Sequence, residues 1–239
     1  MSIKNNFLDL YQSLKKSLRI IAGKEVYFPI DVHLKKEFLG NRQAQWIIAS
    51  NCLDKTKIVY SFGVGTDISF DLLLIEKYSC EVYAFDPTPK SIIWMKEQQL
   101  PANFHFFDYG VSDKDEVITF YPPINSNYVS YSTKAEENSQ EGIQLPVFRL
   151  GSIMNNLGHN KIDLLKLDIE GSEYNVITDL IESKIEIDQI LVEFHHRFDK
   201  FSKDKTKNAI NDLRNCGYSI FYISPTGEEY SFIKRKEKK

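Results

Sequence analysis

The sequence predicts an α/β domain on a mainly parallel central sheet, with helices on both faces and an antiparallel hairpin at the C-terminal edge. Three observations predict it. From residue 58 onward, short apolar runs alternate with stretches of helical spacing, the pattern of repeated strand–helix units. Five of the apolar runs end in glycine or an acidic residue, as strands do when they deliver polar groups to a cleft at their carboxyl ends. The last two runs, Tyr218–Ile223 and Tyr230–Ile233, follow each other without a helix, which predicts an antiparallel pair.

The elements follow in order. Ile58–Phe62 is a buried strand closed by Gly63-Val64-Gly65, and Ile68–Tyr78 is a helix with Ile68, Leu72 and Ile75 on one face. Val82–Phe85 is the second strand, closed by Asp86-Pro87, with a helix over Lys90–Gln99. Phe104–Phe107 is the third. Val117–Tyr121 and Leu145–Leu150 read as strands around a polar loop, Pro122–Gly142, whose length marks it as functional or disordered. Ile162–Leu167 ends in Asp168-Ile169-Glu170-Gly171 and leads into a helix over Glu173–Ser183. Ile190–Phe194 ends in His195-His196, and a helix near Lys205–Asn215 stops at Gly217.

Residues 58–239 are thus one ligand-binding domain, preceded by an N-terminal helical segment, residues 1–57, expected to pack on it. In that segment Phe7, Leu10, Leu14, Leu18 and Ile21 recur at helical spacing among lysines and an arginine. Such a helix can also lie on a membrane surface, cover an active site or meet a second copy, and the oligomeric state stays open. The net charge of -3 over 239 residues argues against a nucleic-acid partner. The basic run Lys234–Lys239 reads as a solvated tail. Cys52, Cys80 and Cys216 have neither metal spacing nor an even count, and each is expected to be a small buried hydrophobe. With no apolar run of membrane-spanning length and no secretory signal, a cytoplasmic protein is expected.

The chemistry should sit on the strand ends. Gly63 and Gly65 permit a tight turn and close approach of backbone to ligand. A dinucleotide fingerprint would want a third glycine at 68, where Ile68 stands. Asp67 and Asp71 open the next helix, where they would repel a pyrophosphate but tolerate a cofactor carrying a sulfonium and an ammonium. Asp67 reads equally as a helix cap. Asp86 lies 21 positions after Gly65, where a carboxylate accepts ribose hydroxyls, although Asp-Pro is also a turn signal. Asp108 and Gly110 follow the third strand, at the expected place of an adenine ring or of a simple turn.

The string Asp163-Leu164-Leu165-Lys166-Leu167-Asp168-Ile169-Glu170-Gly171-Ser172-Glu173-Tyr174, with Val59–Asp67 and Glu81–Pro87 upstream, resembles the FkbM family of methyltransferases over about residues 58 to 200. The resemblance implies a Rossmann-like class I methyltransferase fold and S-adenosylmethionine as donor. It also implies O-methylation of a small acceptor, a sugar, a glycoconjugate or a polyketide-like metabolite. It carries Gly63, Gly65 and Asp86 over as cofactor contacts and puts Asp168 and Glu170 at the active-site edge. Ser61 stands where many methyltransferases have an acidic residue, so Asp67 is expected to take the methionine ammonium instead.

A hydroxyl acceptor needs alignment and a proton acceptor. His195 is the expected base, with Glu193 and Glu170 as carboxylate candidates, and His196 should point to the opposite side of the strand. A hydrogen-bonded structural histidine is the plain alternative for His195, and a helix-start carboxylate for Glu170. Asp168, Glu170 and Glu193 could together offer oxygen ligands to a divalent metal, but no metal spacing is evident and no metal is predicted. Tyr121, Tyr128 and Tyr131 are candidate platforms for a sugar. Two readings compete: an NAD(P)-dependent nucleotide-sugar oxidoreductase, and a protein that binds S-adenosylmethionine without turnover.

Overall fold

The computed structural model describes residues 3–42, 44–50, 53, 57–121, 141–197 and 202–235. In chain order its elements are α1 (Ile3–Ile21), β1 (Lys36–Leu39), β2 (Trp46–Ala49), β3 (Ile58–Phe62), α2 (Ser69–Tyr78), β4 (Glu81–Phe85) and α3 (Pro89–Met95). Then come β5 (Phe104–Phe107), β6 (Gly110–Ser112), β7 (Glu116–Phe120), β8 (Ile143–Arg149), α4 (Leu150–Leu157), β9 (Ile162–Leu167) and α5 (Glu173–Glu182). The chain closes with β10 (Ile187–Glu193), α6 (Lys203–Asn215), β11 (Tyr218–Ile223) and β12 (Glu229–Lys234).

The central sheet has seven strands in the order β11-β12-β10-β9-β3-β4-β5. Five are parallel, and β12 lies antiparallel to both β10 and β11. The expected C-terminal hairpin is present, with its second strand inside and β11 on the edge. Strand order reverses between β3 and β9, the switch point where open α/β sheets bind ligands. Register then aligns the strand ends. Phe62 pairs with both Phe85 and Leu167, and Leu167 with Val192, so Gly63, Asp86, Asp168 and Glu193 follow side by side.

Alternation along the strands splits the core. Tyr60, Phe62, Leu165 and Leu167 pack with Ile153 of α4, Val176 of α5 and Ile210 of α6 on one face. Val59, Leu164 and Leu191 pack with Leu74 of α2, Met95 of α3, and Trp46 and Ile48 of β2 on the other.

Four features differ from the sequence expectation. Among the described residues of 1–57 only Ile3–Ile21 is helical, and β1 and β2 pair as an antiparallel hairpin. That hairpin is held from outside itself: Gln189 accepts the Ala49 N–H and Ser231 donates to the Ile47 carbonyl. Second, α1 meets the domain through its polar face and turns its apolar residues outward. Third, the strands around the long loop join β6 in a separate three-stranded sheet, order β6-β8-β7. Fourth, α3 ends at Met95, because Glu97 and Gln98 bond back only three residues, to Trp94 and Met95, and tighten the last turn.

Helix α4 was legible but unread: Leu150, Ile153, Met154 and Leu157 have helical spacing and Gly158 closes the helix at φ 72°. Cys80 is a buried free thiol and Cys216 is half-buried, while Cys52, Tyr128 and Tyr131 lie outside the described residues. No helix among the described residues is long and apolar enough to cross a membrane.

Candidate active site

A cleft opens over the carboxyl ends of β3, β4, β9 and β10. It is lined by Gly63 to Asp67 after β3, Asp86 to Thr88 after β4, Asp168 to Glu170 after β9, and Glu193 of β10. Gly110 and Val111 of β6 close one side, and Trp46 and Lys166 another.

The glycine loop is shaped by contact with β9. Gly63 has φ +73°, and a Cβ there would lie 1.7 Å from the Asp168 carbonyl oxygen, so only glycine lets the two strand ends meet. The Gly65 N–H donates to Asp86 Oδ2 at 2.8 Å, and Asp86 Oδ1 accepts the Thr88 N–H at 2.9 Å and the Thr88 hydroxyl at 2.6 Å. The Asp-Pro turn is therefore real. A carboxylate has about four lone-pair sites, which leaves Asp86 capacity for a ligand.

Asp67 accepts the Ser69 N–H at 2.9 Å and reaches Asn41 Nδ2 at 3.3 Å. Burial opposes its ionisation, but these donors hold its pKa below the ordinary value. Gly110 lines the cleft. Asp108 is exposed and is absent from the lining, so the structure does not bring it to the other site residues.

At the other end of the cleft four predicted residues converge, Asp168, Glu170 and Glu193 on its lining and buried His195 outside it. His195 Nε2 lies 3.4 Å from Glu170 Oε2 and 4.0 Å from Asp168 Oδ1, with Glu193 beside them on the same strand end. Glu170 adopts φ 53° ahead of Gly171 at 102°, and this left-handed turn aims its carboxylate at the imidazole. The N-cap of α5 is Ser172, which makes no side-chain cap bond, and Glu173 in the first turn reaches back to accept the Gly171 N–H at 2.8 Å. Fully buried Glu173 also accepts the His195 backbone N–H at 3.0 Å and faces His195 Nδ1 at 3.3 Å.

The electrostatics follow. Burial alone would lower the His195 pKa, but the hydrogen bond to Glu173 and the charges of Glu173 and Glu170 raise it to about 10. Burial raises that of Glu193 to about 9, and the charge of Asp168 adds to it. The carboxylates around His195 thus favour its charged form. His196 turns to the other side of the strand and pairs with buried Glu25. For a divalent cation, Asp168, Glu193 and His195 are the described group whose ligand atoms fall within 4.8 Å of one another, with His195 in the place expected for Glu170.

Lys166 and Glu173 carry no role in the sequence reading, and Asp71 carries one only as a carboxylate that opens α2 beside Asp67. Lys166 Nζ donates to the Gly63 carbonyl at 3.0 Å and the Phe62 carbonyl at 3.3 Å, 5.1 Å from the Trp46 ring centre. A lysine inside an otherwise apolar strand was the available signal. Asp71 is buried in the cleft wall with no hydrogen-bond partner on Oδ1, and burial, against the charge of Lys166, raises its pKa to about 6. Glu173 stands in the string that resembles the FkbM family, which marked the residue but not its contact with His195.

Two curated proteins named probable methyltransferase-like protein 24 are similar to this chain. The human protein is 27% identical over 165 residues, covering 68% of this chain and 39% of its own length. The rat protein is 26% identical over 154 residues, covering 64% and 36%. The chain thus spans about two-fifths of those relatives. Among solved structures, a fibrillarin of Aeropyrum pernix in complex with S-adenosyl-L-methionine has TM-score 0.44 at 12% identity, over 78% of this chain and 68% of its own. A Methanococcus jannaschii fibrillarin, a pre-rRNA processing protein, has TM-score 0.46 at 14% identity, over 80% and 71%. Residues 58–220 match the methyltransferase FkbM domain, and the chain belongs to that family.

Proposed function

We propose that the protein transfers a methyl group from S-adenosylmethionine to a hydroxyl of a small acceptor, a sugar or glycoconjugate. The observation that carries this reading is the cleft of an FkbM-family chain with two chemically distinct ends: a glycine loop tied to Asp86, and a cluster of Asp168, Glu170, Glu193 and His195.

The residues fit the cofactor. Asp86 faces the ribose hydroxyls, and the glycine loop lets the backbone approach the nucleoside. The orphaned Asp71 Oδ1 and the carboxylate of Asp67 are acceptors for the ammonium of the methionine end. Bound S-adenosylmethionine supplies a methyl carbon activated by its sulfonium. What remains for the protein is to align the acceptor and take its proton.

In this reading Asp168 accepts that proton, since it lines the cleft and is half-buried. His195, oriented by Glu173, sets a positive charge beside Asp168 and Glu170 at the reacting end of the cleft. Glu193, with its raised pKa, keeps a proton and can donate a hydrogen bond to the acceptor.

The test is thermal stability with S-adenosylmethionine, S-adenosylhomocysteine, NAD and NADP, followed by transfer of labelled methyl to a panel of sugars. Ligand at 100-fold its Kd stabilises by about 2.7 kcal/mol, and each kcal/mol is worth roughly 2–4 °C for a chain of this size. A shift with NAD and none with either adenosyl ligand would replace this reading with the oxidoreductase. Binding with no transfer to any hydroxyl would leave a non-catalytic binder.

A further inference from the structure

Helix α1 lies on the domain the wrong way round for an amphipathic helix. Its half-buried stripe is Asp9, Gln12, Ser13, Lys16, Arg19 and Ile20, polar at all but one position. Three of these make its contacts: Lys16 Nζ donates to the Ser224 carbonyl at 2.8 Å, Arg19 pairs with Glu25 at 3.3 Å, and Asp9 meets Arg42 at 3.7 Å. The apolar stripe, Phe7, Leu10, Tyr11, Leu14, Leu18 and Ile21, points away, each residue 55–83% exposed. Six large side chains on one contiguous strip of about 100° of helix are an exposed patch that water does not favour.

We propose that this face docks the protein on an anionic lipid surface. Charge decides between lipid and a second copy. The chain carries a net charge of -3, yet α1 has four basic residues against one acidic, and while Lys16, Arg19 and the acidic Asp9 are engaged on the domain side, Lys15 is the described charge on the outer side. Two copies meeting through this face would set like charge against like, whereas an anionic surface attracts it. Lys15 is exposed beside the apolar stripe, as in helices that lie in the interfacial plane with the apolar side immersed. The polar contacts to Ser224, Glu25 and Arg42 hold the helix against the domain, so docking needs no refolding.

The position of α1 gives the docking a consequence. The groove under α1, lined by Leu8, Asp9 and Gln12, shares Gln45, Trp46 and Glu229 with the cofactor cleft. A protein seated through α1 carries that cleft next to the lipid headgroups.

The experiment is co-sedimentation of the full chain with phosphatidylcholine vesicles and with vesicles containing phosphatidylserine. Binding to the anionic vesicles is expected, weaker on neutral ones by on the order of tenfold. The Leu14→Glu/Leu18→Glu pair should reduce binding by on the order of tenfold or more, with circular dichroism and S-adenosylmethionine binding unchanged. Lys15→Glu should weaken binding to anionic vesicles alone. If the double variant fails to fold, Leu18→Gln carries the same test. A wild-type chain that stays in the supernatant overturns the proposal, as does binding indifferent to these substitutions or to lipid charge. A dimer in light scattering that the double substitution dissolves, without vesicle binding, assigns the face to a second copy and also overturns it.

Discussion

The Gly65 N–H sits 2.8 Å from Asp86 Oδ2, so the glycine loop after β3 is fastened to the end of β4 by the same carboxylate proposed to hold the ribose. Structural and binding roles therefore fall on one residue. Asp86→Ala removes the loop anchor and the ribose acceptor together. It should abolish measurable S-adenosylmethionine binding in calorimetry and lower stability by about 1–3 kcal/mol. Asp86→Asn keeps the size and one acceptor oxygen, so it should recover most of the stability while binding stays weakened by on the order of 100-fold. Wild-type affinity in Asp86→Asn would move the ribose elsewhere.

Gly63 and Gly158 have nearly the same backbone, φ +73° and +72°, yet their alanine variants should differ sharply. At Gly158 the new methyl meets nothing within 4 Å, and the cost is the left-handed conformation alone, about 1–2 kcal/mol. At Gly63 it would fall 1.7 Å from the Asp168 carbonyl oxygen, so β3 and β9 must part at the switch point. Gly63→Ala should lose more than about 4 kcal/mol and all cofactor binding. Equal melting temperatures for the two variants would contradict the close approach.

His195 is charged near neutral pH, and this sets both pH profiles. Its pKa rises from 6.5 to about 10 on folding, so its contribution to stability is complete below about 6.5 and lost as pH rises towards 10. Turnover should fall along the same alkaline limb. His195→Gln should bind S-adenosylmethionine normally, lose kcat by on the order of 100-fold, and lose the alkaline limb. A wild-type kcat would remove His195 from the chemistry. A proton on Nε2 also competes with a metal for that nitrogen, so a chelator should leave turnover unchanged.

The central sheet was legible because buried parallel strands are unbroken apolar runs, and each ends in the polar residues that the cleft needs. Ile58–Phe62, Ile162–Leu167 and Tyr218–Ile223 are strands with the bounds read from the sequence. The β1–β2 hairpin was not legible, because Lys36-Glu37-Phe38-Leu39 carries no strand signal and its order comes from Gln189 and Ser231, far along the chain. Periodicity identified α1 but not its orientation, which the ion pairs of Arg19 and Asp9 decide. In the site, strand-end position correctly gathered Asp168, Glu170, Glu193 and His195. Asp108 shares the register of Asp86 but faces solvent, outside the cleft lining. Strand-end position passed over Glu173, whose role depends on meeting His195 from across the fold.

Glu25 offers the clearest stability measurement, since it is the acid that ties the N-terminal segment to the end of β10. Its buried carboxylate pairs with His196, with Arg197 at 2.7 Å and with Arg19 at 3.3 Å. Burial alone would raise its pKa, but the hydrogen bonds to His196 and Arg197 lower it from 4.5 to about 2. A folded-state pKa below the unfolded one means that the contribution is complete above about pH 4.5 and disappears as pH falls towards 2. Glu25→Gln leaves buried His196 without its anion and Arg197 with Glu228 alone, and should cost about 3 kcal/mol at pH 7, roughly 6–12 °C in melting temperature. Scanned downward in pH, the two melting curves should converge between about 4.5 and 2, where the wild-type carboxylate itself becomes protonated. A gap that persists unchanged to the acid end would mean that shape, not charge, is what Glu25 contributes.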